Sequence, residues 1–167
     1  MNQENPQSAS WLEQVRPLTL KGQIAVPYTW WVGETGSRFL RALRDEQKIL
    51  GNRCDTCGTV YVPPRKNCGR CFTDITQWVQ LATEGVVRAH TVVRRMPAAL
   101  LNAADRPTLP FAYALIRLDG ARVDLLHRIT RDLEKLKNGI RVRARFSERP
   151  TGHILDITDF EIIRNSP

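Results

Sequence analysis

All four cysteines of the chain fall in two CxxC pairs that lie close together in the sequence. The pairs are Cys54 with Cys57 and Cys68 with Cys71, and Gly58 follows the first pair. Two thiolates three positions apart on a tight turn can bind one tetrahedral ion, and two such pairs complete a Cys₄ ligand set. The spacing therefore predicts a structural zinc ribbon in which all four cysteines bind Zn²⁺.

Two other uses of the cysteines remain open at this point. Paired disulfides would require an oxidising compartment, and a redox dithiol would require one CxxC beside a βαβ pattern. Residues 1–10 are polar, with Glu4 as their one charged side chain, and no apolar run approaches the length of a membrane span. We therefore predict no secretory signal, no membrane span and a cytoplasmic protein, which favours zinc.

A Cys₄ site also bears on catalysis. Four thiolates leave no open coordination position, so the ion cannot activate water or polarise a substrate. The sequence contains no GxSxG, HExxH, P-loop or dinucleotide motif, and its three histidines, His90, His127 and His153, are isolated from one another. We expect no catalytic residues in this chain, so any thiol chemistry would belong to a partner.

The formal charge of the chain is +8, from 25 basic and 17 acidic residues. Such an excess is typical of proteins that bind polyanions. Four thiolates and one Zn²⁺ together carry about −2, so zinc binding offsets part of the excess. The remaining charge is compatible with nucleic acid and equally with a small phosphorylated ligand.

A helical period runs from Ser37 to about Lys48, and Thr35 or Ser37 is the expected N-cap. Its apolar face carries Phe39, Leu40 and Leu43, and its other face carries Arg38, Arg41, Arg44 and Lys48. A basic face of this kind is either a solvated surface or a phosphate-binding surface. In the second case Arg41, Arg44 and Lys48 are candidate ligand contacts.

Aromatic residues ahead of the helix are candidates for a partner interface. Tyr28, Trp30 and Trp31 stand in one short run, and Trp and Tyr are enriched at interface anchors. The alternative is that they pack on the chain's own globule.

The second half of the chain has the pattern of β-strands. The predicted strands are 78–93 with a bend at residues 84–85, 111–118, 122–129, 140–146 and 154–163, and a short helix is predicted at 132–137. This order is that of a five-stranded OB barrel. Its first loop, 94–110, occupies a usual binding position, with Arg94 and Arg95 as candidate ligand contacts and Leu100 and Leu101 as candidate partner contacts.

Several of these stretches together resemble a known family. They are Ile49–Gly58, Tyr61-Val-Pro-Pro-Arg65, Cys68–Cys71, Glu84–Val86, Thr91–Val93, Pro110–Phe111, Asp119–Gly120 and Gly139–Val142. The family is that of acyl-CoA-associated proteins with an N-terminal helix, a rubredoxin-like zinc ribbon and a C-terminal OB fold. The family commonly has Pro after the third cysteine and Gly after the fourth, where this chain has Gly69 and Phe72.

The resemblance implies a mainly β fold with four parts. These are an extended arm at 1–33, a helix and lead-in strand at 34–50, a zinc ribbon at 51–76 and a five-stranded OB-fold barrel at 77–167. It also implies a non-catalytic accessory subunit of a thiolase-type acyl-CoA acyltransferase complex. The chain resembles the small subunits that accompany thiolases, hydroxymethylglutaryl-CoA synthases, sterol side-chain aldolases and hydratases. They include the small thiolase subunit of anaerobic toluene breakdown. They dock on a catalytic subunit and help bind the CoA ester.

A nucleic-acid-binding ribbon and OB-fold protein is the alternative. A single-strand binder should interleave exposed aromatic and basic side chains on its barrel. After Trp78 the chain offers only Phe111, Tyr113, Phe146 and Phe160 for this purpose. The sequence therefore favours the acyl-CoA hypothesis over nucleic acid, and over an enzyme that acts alone.

Overall fold

The computed structural model describes residues 29–96 and 108–163. Within them a helix, α1 (Gly33–Glu46), precedes eight strands: β1 (Ile49–Arg53), β2 (Val60–Tyr61), β3 (Gln77–Leu81), β4 (Glu84–Val93), β5 (Phe111–Leu118), β6 (Leu125–Ile129), β7 (Arg141–Phe146) and β8 (Ile157–Ile162). The chain divides into a first unit, residues 1–31, and a second unit, residues 32–167, which contains all of these elements. Among the described helices, none has the length and apolar character needed to cross a membrane.

Helix α1 starts earlier than the sequence indicates. Thr35 and Ser37 both lie inside the helix, and the Ser37 hydroxyl donates to the Gly33 carbonyl at 2.6 Å, so the N-cap prediction is wrong. Val32 holds the N-cap position without a side-chain cap. The apolar face is as predicted, because Phe39 and Leu43 are buried in the core. That face fixes the helix against the β-structure.

The first sheet has the strand order β2-β1-β3 and is antiparallel throughout. The prediction of one bent strand over 78–93 is wrong, because β3 pairs along the whole of β1 while β4 belongs to the other sheet. The predicted bend at Gly85 is also wrong. A Cβ at this position would lie 2.4 Å from the Arg117 carbonyl oxygen, so the glycine permits a close approach of β5.

The second sheet has the order β6-β5-β4-β7-β8 and forms the five-stranded OB fold that was predicted. Strands β6 and β8 meet through Arg128, whose Nε donates to the Thr158 carbonyl at 2.6 Å, and through a hydrogen bond between Thr130 and Asp159. Three predicted elements are shorter than expected. The strand predicted at 122–129 begins at Leu125. The helix between β6 and β7 is a single 3₁₀ turn, Leu133–Lys135, and a second 3₁₀ turn, Ile154–Asp156, precedes β8.

One hydrophobic core joins the helix, the first sheet and the barrel. Phe39 from α1, Ile49 from β1 and Val62 after β2 pack in the same cluster as Ile116 from β5 and Phe160 from β8. A second, smaller cluster consists of Cys54, Cys68, Tyr61 and Ile75. The ribbon is therefore continuous with the barrel core, and a change at the cysteines is transmitted to it.

A buried histidine in the barrel predicts a loss of stability in mild acid. His127 packs edge-on against Phe160, with ring centroids 5.5 Å apart, and its Nε2 lies 3.4 Å from the Ile154 carbonyl. Burial lowers the pKa of His127 below the value of about 6.5 for an exposed histidine. The unfolded chain then binds a proton that the folded chain does not, so stability is full above about pH 6.5 and falls below it.

We expect His127→Phe to flatten this acid slope by up to about 1.4 kcal/mol per pH unit. Urea unfolding between pH 5 and 8 measures the slope. Ile129→Val is the control, because it weakens the same core without removing a titrating group and should shift all points equally. An unchanged slope in His127→Phe would contradict the assignment.

Candidate metal centre

The four cysteine sulfurs converge at one end of the first sheet. All four Sγ atoms lie within 4.8 Å of one another, and the Sγ atoms of Cys57 and Cys68 are 3.7 Å apart. Tetrahedral ligands at the usual Zn–S distance of about 2.3 Å are separated by about 3.8 Å, so the spacing fits a zinc ion. Cys54 and Cys68 are buried, whereas Cys57 and Cys71 are partly exposed. The cysteines thus form a zinc-ribbon site suited to a structural Zn²⁺.

The two CxxC turns have the same backbone geometry. In each, the N–H of the first cysteine donates to the carbonyl five residues later, and the N–H of the residue after the second cysteine donates back to the first cysteine. That residue has a positive φ in both turns, +69° at Gly58 and +59° at Phe72. Glycine adopts this conformation readily, and a residue with a Cβ does so at an energetic penalty.

Phe72 is therefore strained by the turn that it occupies, and its side chain is 82% exposed. We expect Phe72→Gly to stabilise the zinc-bound chain by about 1 kcal/mol, because the left-handed conformation no longer opposes a Cβ. Urea unfolding of the zinc-loaded chain measures the change. Phe72→Ala is the matched control, because it removes the ring and keeps the Cβ. Equal stability of the two variants would show that backbone strain is absent.

Cys68 receives the most hydrogen bonds of the four sulfurs. The Tyr61 hydroxyl lies 3.3 Å from its Sγ, and the N–H groups of Arg70 and Cys71 each donate to it at 3.4 Å. The Tyr61 oxygen in turn accepts from the Gly69 N–H at 3.1 Å, a donor that a proline at position 69 would remove. The Tyr61 hydroxyl and the backbone donors lower the pKa of Cys68 to about 6, which favours the thiolate that binds metal.

The other sulfurs show why the site suits a cation. The Thr59 hydroxyl, 3.2 Å from Cys57, lowers the pKa of that thiol. The neighbouring Cys57 sulfur, followed by burial, raises the pKa of Cys71 to about 12. Four thiolates packed this closely repel one another, and a bound divalent ion removes that penalty. When bound, zinc would supply rigidity here and no open position for chemistry.

The residues predicted to contact phosphate belong to two parts of the sequence, α1 and the segment after β4, and none of them is in the metal centre. Arg41 is exposed on α1. Arg44 forms an ion pair with Asp45 at 2.7 Å, and Lys48 forms one with Glu46 at 2.6 Å. These carboxylates partly neutralise the basic stripe. Arg94 and Arg95 are exposed just after β4, and no described contact joins them to the stripe.

The predicted partner contacts are described only in part. Trp30 and Trp31 are 66% and 76% exposed. Tyr28, Leu100 and Leu101 lie outside the described residues. Sequence reasoning missed an apolar pair on the outer face of the barrel, where Leu115 of β5 is the cross-strand partner of Leu126 of β6. The alternation of buried and exposed positions along the two strands is the signal that finds it.

Comparison with known families matches both parts of this architecture. The model of the rubredoxin-like zinc ribbon domain of ChsH2 matches residues 41–76, and that of the C-terminal OB-fold domain of ChsH2 matches residues 78–147. The chain belongs to the ChsH2 family of zinc-ribbon and OB-fold proteins. The predicted family resemblance is thereby confirmed.

This ChsH2-type chain is similar to three further proteins. A DUF35 domain-containing scaffold protein of Methanocaldococcus jannaschii is 33% identical over 89 residues, which cover 52% of this chain and 59% of that protein. The crystal structure of a DUF35 family protein of unknown function from Sulfolobus solfataricus superposes with a TM-score of 0.53 at 26% identity, covering 67% of this chain and 78% of that one. The Ltp2–ChsH2(DUF35) aldolase shares the fold, with a TM-score of 0.54 at 19% identity and coverage of 78% and 93%.

Proposed function

We propose that the chain is a non-catalytic, cytoplasmic accessory subunit of a thiolase-type acyl-CoA acyltransferase complex. In this role it helps to assemble the enzyme and to bind the CoA ester. The observation that carries the proposal is the ChsH2-type ribbon and OB fold in one chain whose four thiols all meet in the metal centre. The M. jannaschii relative is called a scaffold protein, and the Ltp2–ChsH2 structure is called an aldolase, which supports a role beside an enzyme.

The histidines support a non-catalytic role. His127 is buried in the barrel. The ring of His90 is hydrogen-bonded to Asn138 at 3.0 Å, and that of His153 accepts from the Leu155 N–H at 3.2 Å. Each ring is thus occupied by a structural contact, and all four cysteines of the chain belong to the metal centre.

The barrel surface argues against the nucleic-acid alternative. Of the four aromatic residues expected there, Tyr113 is the exposed one, so the described strands offer no row of stacking rings. The alternating arginines of β7 are also engaged by carboxylates. Arg141 pairs with Asp119 at 2.7 Å, Arg143 with Glu84 at 2.7 Å and Arg145 with Asp159 at 2.9 Å.

Within this proposal the residues keep the roles predicted from the sequence. Tyr28, Trp30, Trp31, Leu100 and Leu101 contact the catalytic subunit. Arg41, Arg44, Lys48, Arg94 and Arg95 are the candidate contacts to the CoA ester. Because Arg44 and Lys48 already pair with carboxylates, their contribution to ligand binding would be small.

Co-expression with the reading frames that flank its gene tests the proposal. We expect a tagged, zinc-loaded chain to retain a thiolase-like polypeptide in a defined ratio, identified by mass spectrometry. The double variant Trp30→Ala/Trp31→Ala should reduce the recovery, and Leu12→Ala/Leu18→Ala is compared as a double change of the same kind elsewhere in the first unit. Salt-sensitive retention on single-stranded DNA with no protein partner would instead support the nucleic-acid function.

A further inference from the structure

A cavity of 540 Å³ lies where the ribbon meets the barrel. Its ribbon side is lined by Tyr61, Arg65 and Arg70 and, at the edge of the metal centre, by Cys57 and Thr59, and its barrel side is lined by Arg117 and Arg122. The volume is within the range of about 300–1,000 Å³ that is usual for small-molecule sites. Four guanidinium-bearing side chains around one cavity of this size predict an anionic ligand.

The charge around the cavity is only partly balanced. Asp124 pairs with Arg117 at 2.5 Å. In the part of the chain that the structure describes, no carboxylate pairs with Arg65, Arg70 or Arg122. The nearby zinc–thiolate centre would carry about −2 and attracts these cations as well. A role in balancing that centre is the competing explanation, and a binding experiment separates the two.

The ribbon side of the cavity is held in place by the fold. Asn52 is buried, and its side-chain amide accepts from the Arg65 N–H at 3.1 Å and donates to the Arg65 carbonyl at 2.5 Å. The Arg65 guanidinium lies over the Tyr61 ring, 5.3 Å from its centroid. This cation–π contact restrains the Arg65 side chain beside Tyr61, and both residues line the cavity. Arg65 therefore needs little reorganisation to meet an anion.

The barrel side is joined to the ribbon by a backbone hydrogen bond. The Arg122 N–H donates to the carbonyl of Val60, in β2, at 3.0 Å. Val123 packs against both hydrophobic clusters, so the two walls share one core. This connection keeps Arg122 at the same cavity as the ribbon arginines. A ligand that bridges the walls would contact guanidinium groups from both.

Arginine forks bind phosphate oxygens with paired hydrogen bonds, and several forks around one cavity suit adjacent phosphates. We propose that this cavity binds the diphosphate group of a nucleotide-containing small molecule. The inference deepens the proposed function and rests on it only where the nucleotide is the adenosine end of a CoA ester. It places the diphosphate at Arg65, Arg70 and Arg122 and leaves the candidate residues of α1 to other contacts with the CoA ester.

Calorimetry on the zinc-loaded full chain tests the site with coenzyme A, ADP and pantetheine as probes. We expect coenzyme A and ADP to bind and pantetheine, which has no diphosphate, to fail. Tighter binding of coenzyme A than of ADP identifies the CoA ester as the source, and equal binding identifies a free nucleotide. Either result supports the site.

Substitutions of the cavity arginines test where ADP binds. Arg70→Gln and Arg122→Gln should each weaken ADP binding about tenfold, because each removes a charge-assisted contact. Arg131→Gln, an exposed arginine of the barrel, is the control and should bind as the unaltered chain does. Zinc content and urea unfolding verify that each variant is folded.

Two results would overturn the inference. One is the absence of diphosphate binding by the folded, zinc-loaded chain. The other is diphosphate binding that is weakened by Arg41→Gln and unchanged by Arg70→Gln and Arg122→Gln. That result would show that the diphosphate binds at α1. Neither result bears on recovery of a catalytic partner by co-expression, so failure of this site is distinguishable from failure of the proposed function.

Discussion

Replacing Cys68 with serine is expected to abolish zinc binding and to unfold the ribbon. Cys68 is buried, and it is the sulfur with the most hydrogen-bond donors around it. A structural zinc ion contributes on the order of 10 kcal/mol to the folding of a small ribbon, which exceeds the stability of most domains. Because the ribbon shares the core of the barrel, we expect the thermal transition of the whole second unit to fall or to vanish.

Zinc content by atomic absorption and thermal unfolding by circular dichroism measure the effect. Thr56→Ala is the control, because Thr56 lies in the same CxxC turn, is exposed and supplies no sulfur. Treatment of the unaltered chain with a chelator should reproduce the loss, and added zinc should reverse it. A folded Cys68→Ser chain that retains one zinc ion would contradict the assignment of a four-thiolate site.

The Asn52→Ala substitution is expected to have the second large effect, a loss of stability. The side-chain amide of Asn52 satisfies both backbone groups of Arg65. Its removal leaves two partly buried polar groups without a partner, at about 1–3 kcal/mol each, so we expect a loss of about 3 kcal/mol in the free energy of unfolding. Urea unfolding of the zinc-loaded chain measures it.

Asn67→Ala is the matched control for this change. Asn67 also makes a side-chain hydrogen bond, to Asp74 at 2.5 Å, but it is exposed, so its removal should change stability by less than about 0.5 kcal/mol. If Asn52→Ala unfolds no more easily than Asn67→Ala, Asn52 does not organise the ribbon. The same variant should weaken ADP binding, since Arg65 loses its support.

The parts of the fold that sequence predicted are those governed by local chemistry. The cysteine spacing predicted the metal centre, because a tetrahedral ion restricts where its ligands can be. Strand β5 was predicted with its observed limits, because its largely apolar run from Phe111 to Leu118 ends at the Asp119-Gly120 turn. The five-stranded OB fold followed from the order of such elements.

The wrong predictions concern features of the fold that are determined by tertiary contacts. Nothing local separates β3 from β4, and the separation exists because β3 completes its pairing with β1. Gly85 suggested a bend, whereas its role is to accommodate the backbone of β5. A cavity shared by Arg65 and Arg70 with Arg117 and Arg122 was not predicted, because the two pairs are far apart in the sequence. Only the packing of ribbon against barrel brings them together.

The most direct test of the proposed thiolase-type function is reconstitution of acyl-CoA thiolysis from separately purified polypeptides. The zinc-loaded chain, the co-purifying catalytic subunit and their mixture are assayed for CoA-dependent cleavage of a 3-oxoacyl-CoA. We predict no turnover by this chain alone, low turnover by the catalytic subunit alone, and full turnover by the mixture. Turnover by this chain alone, or a catalytic subunit whose rate is unchanged when the chain is added, would contradict the account.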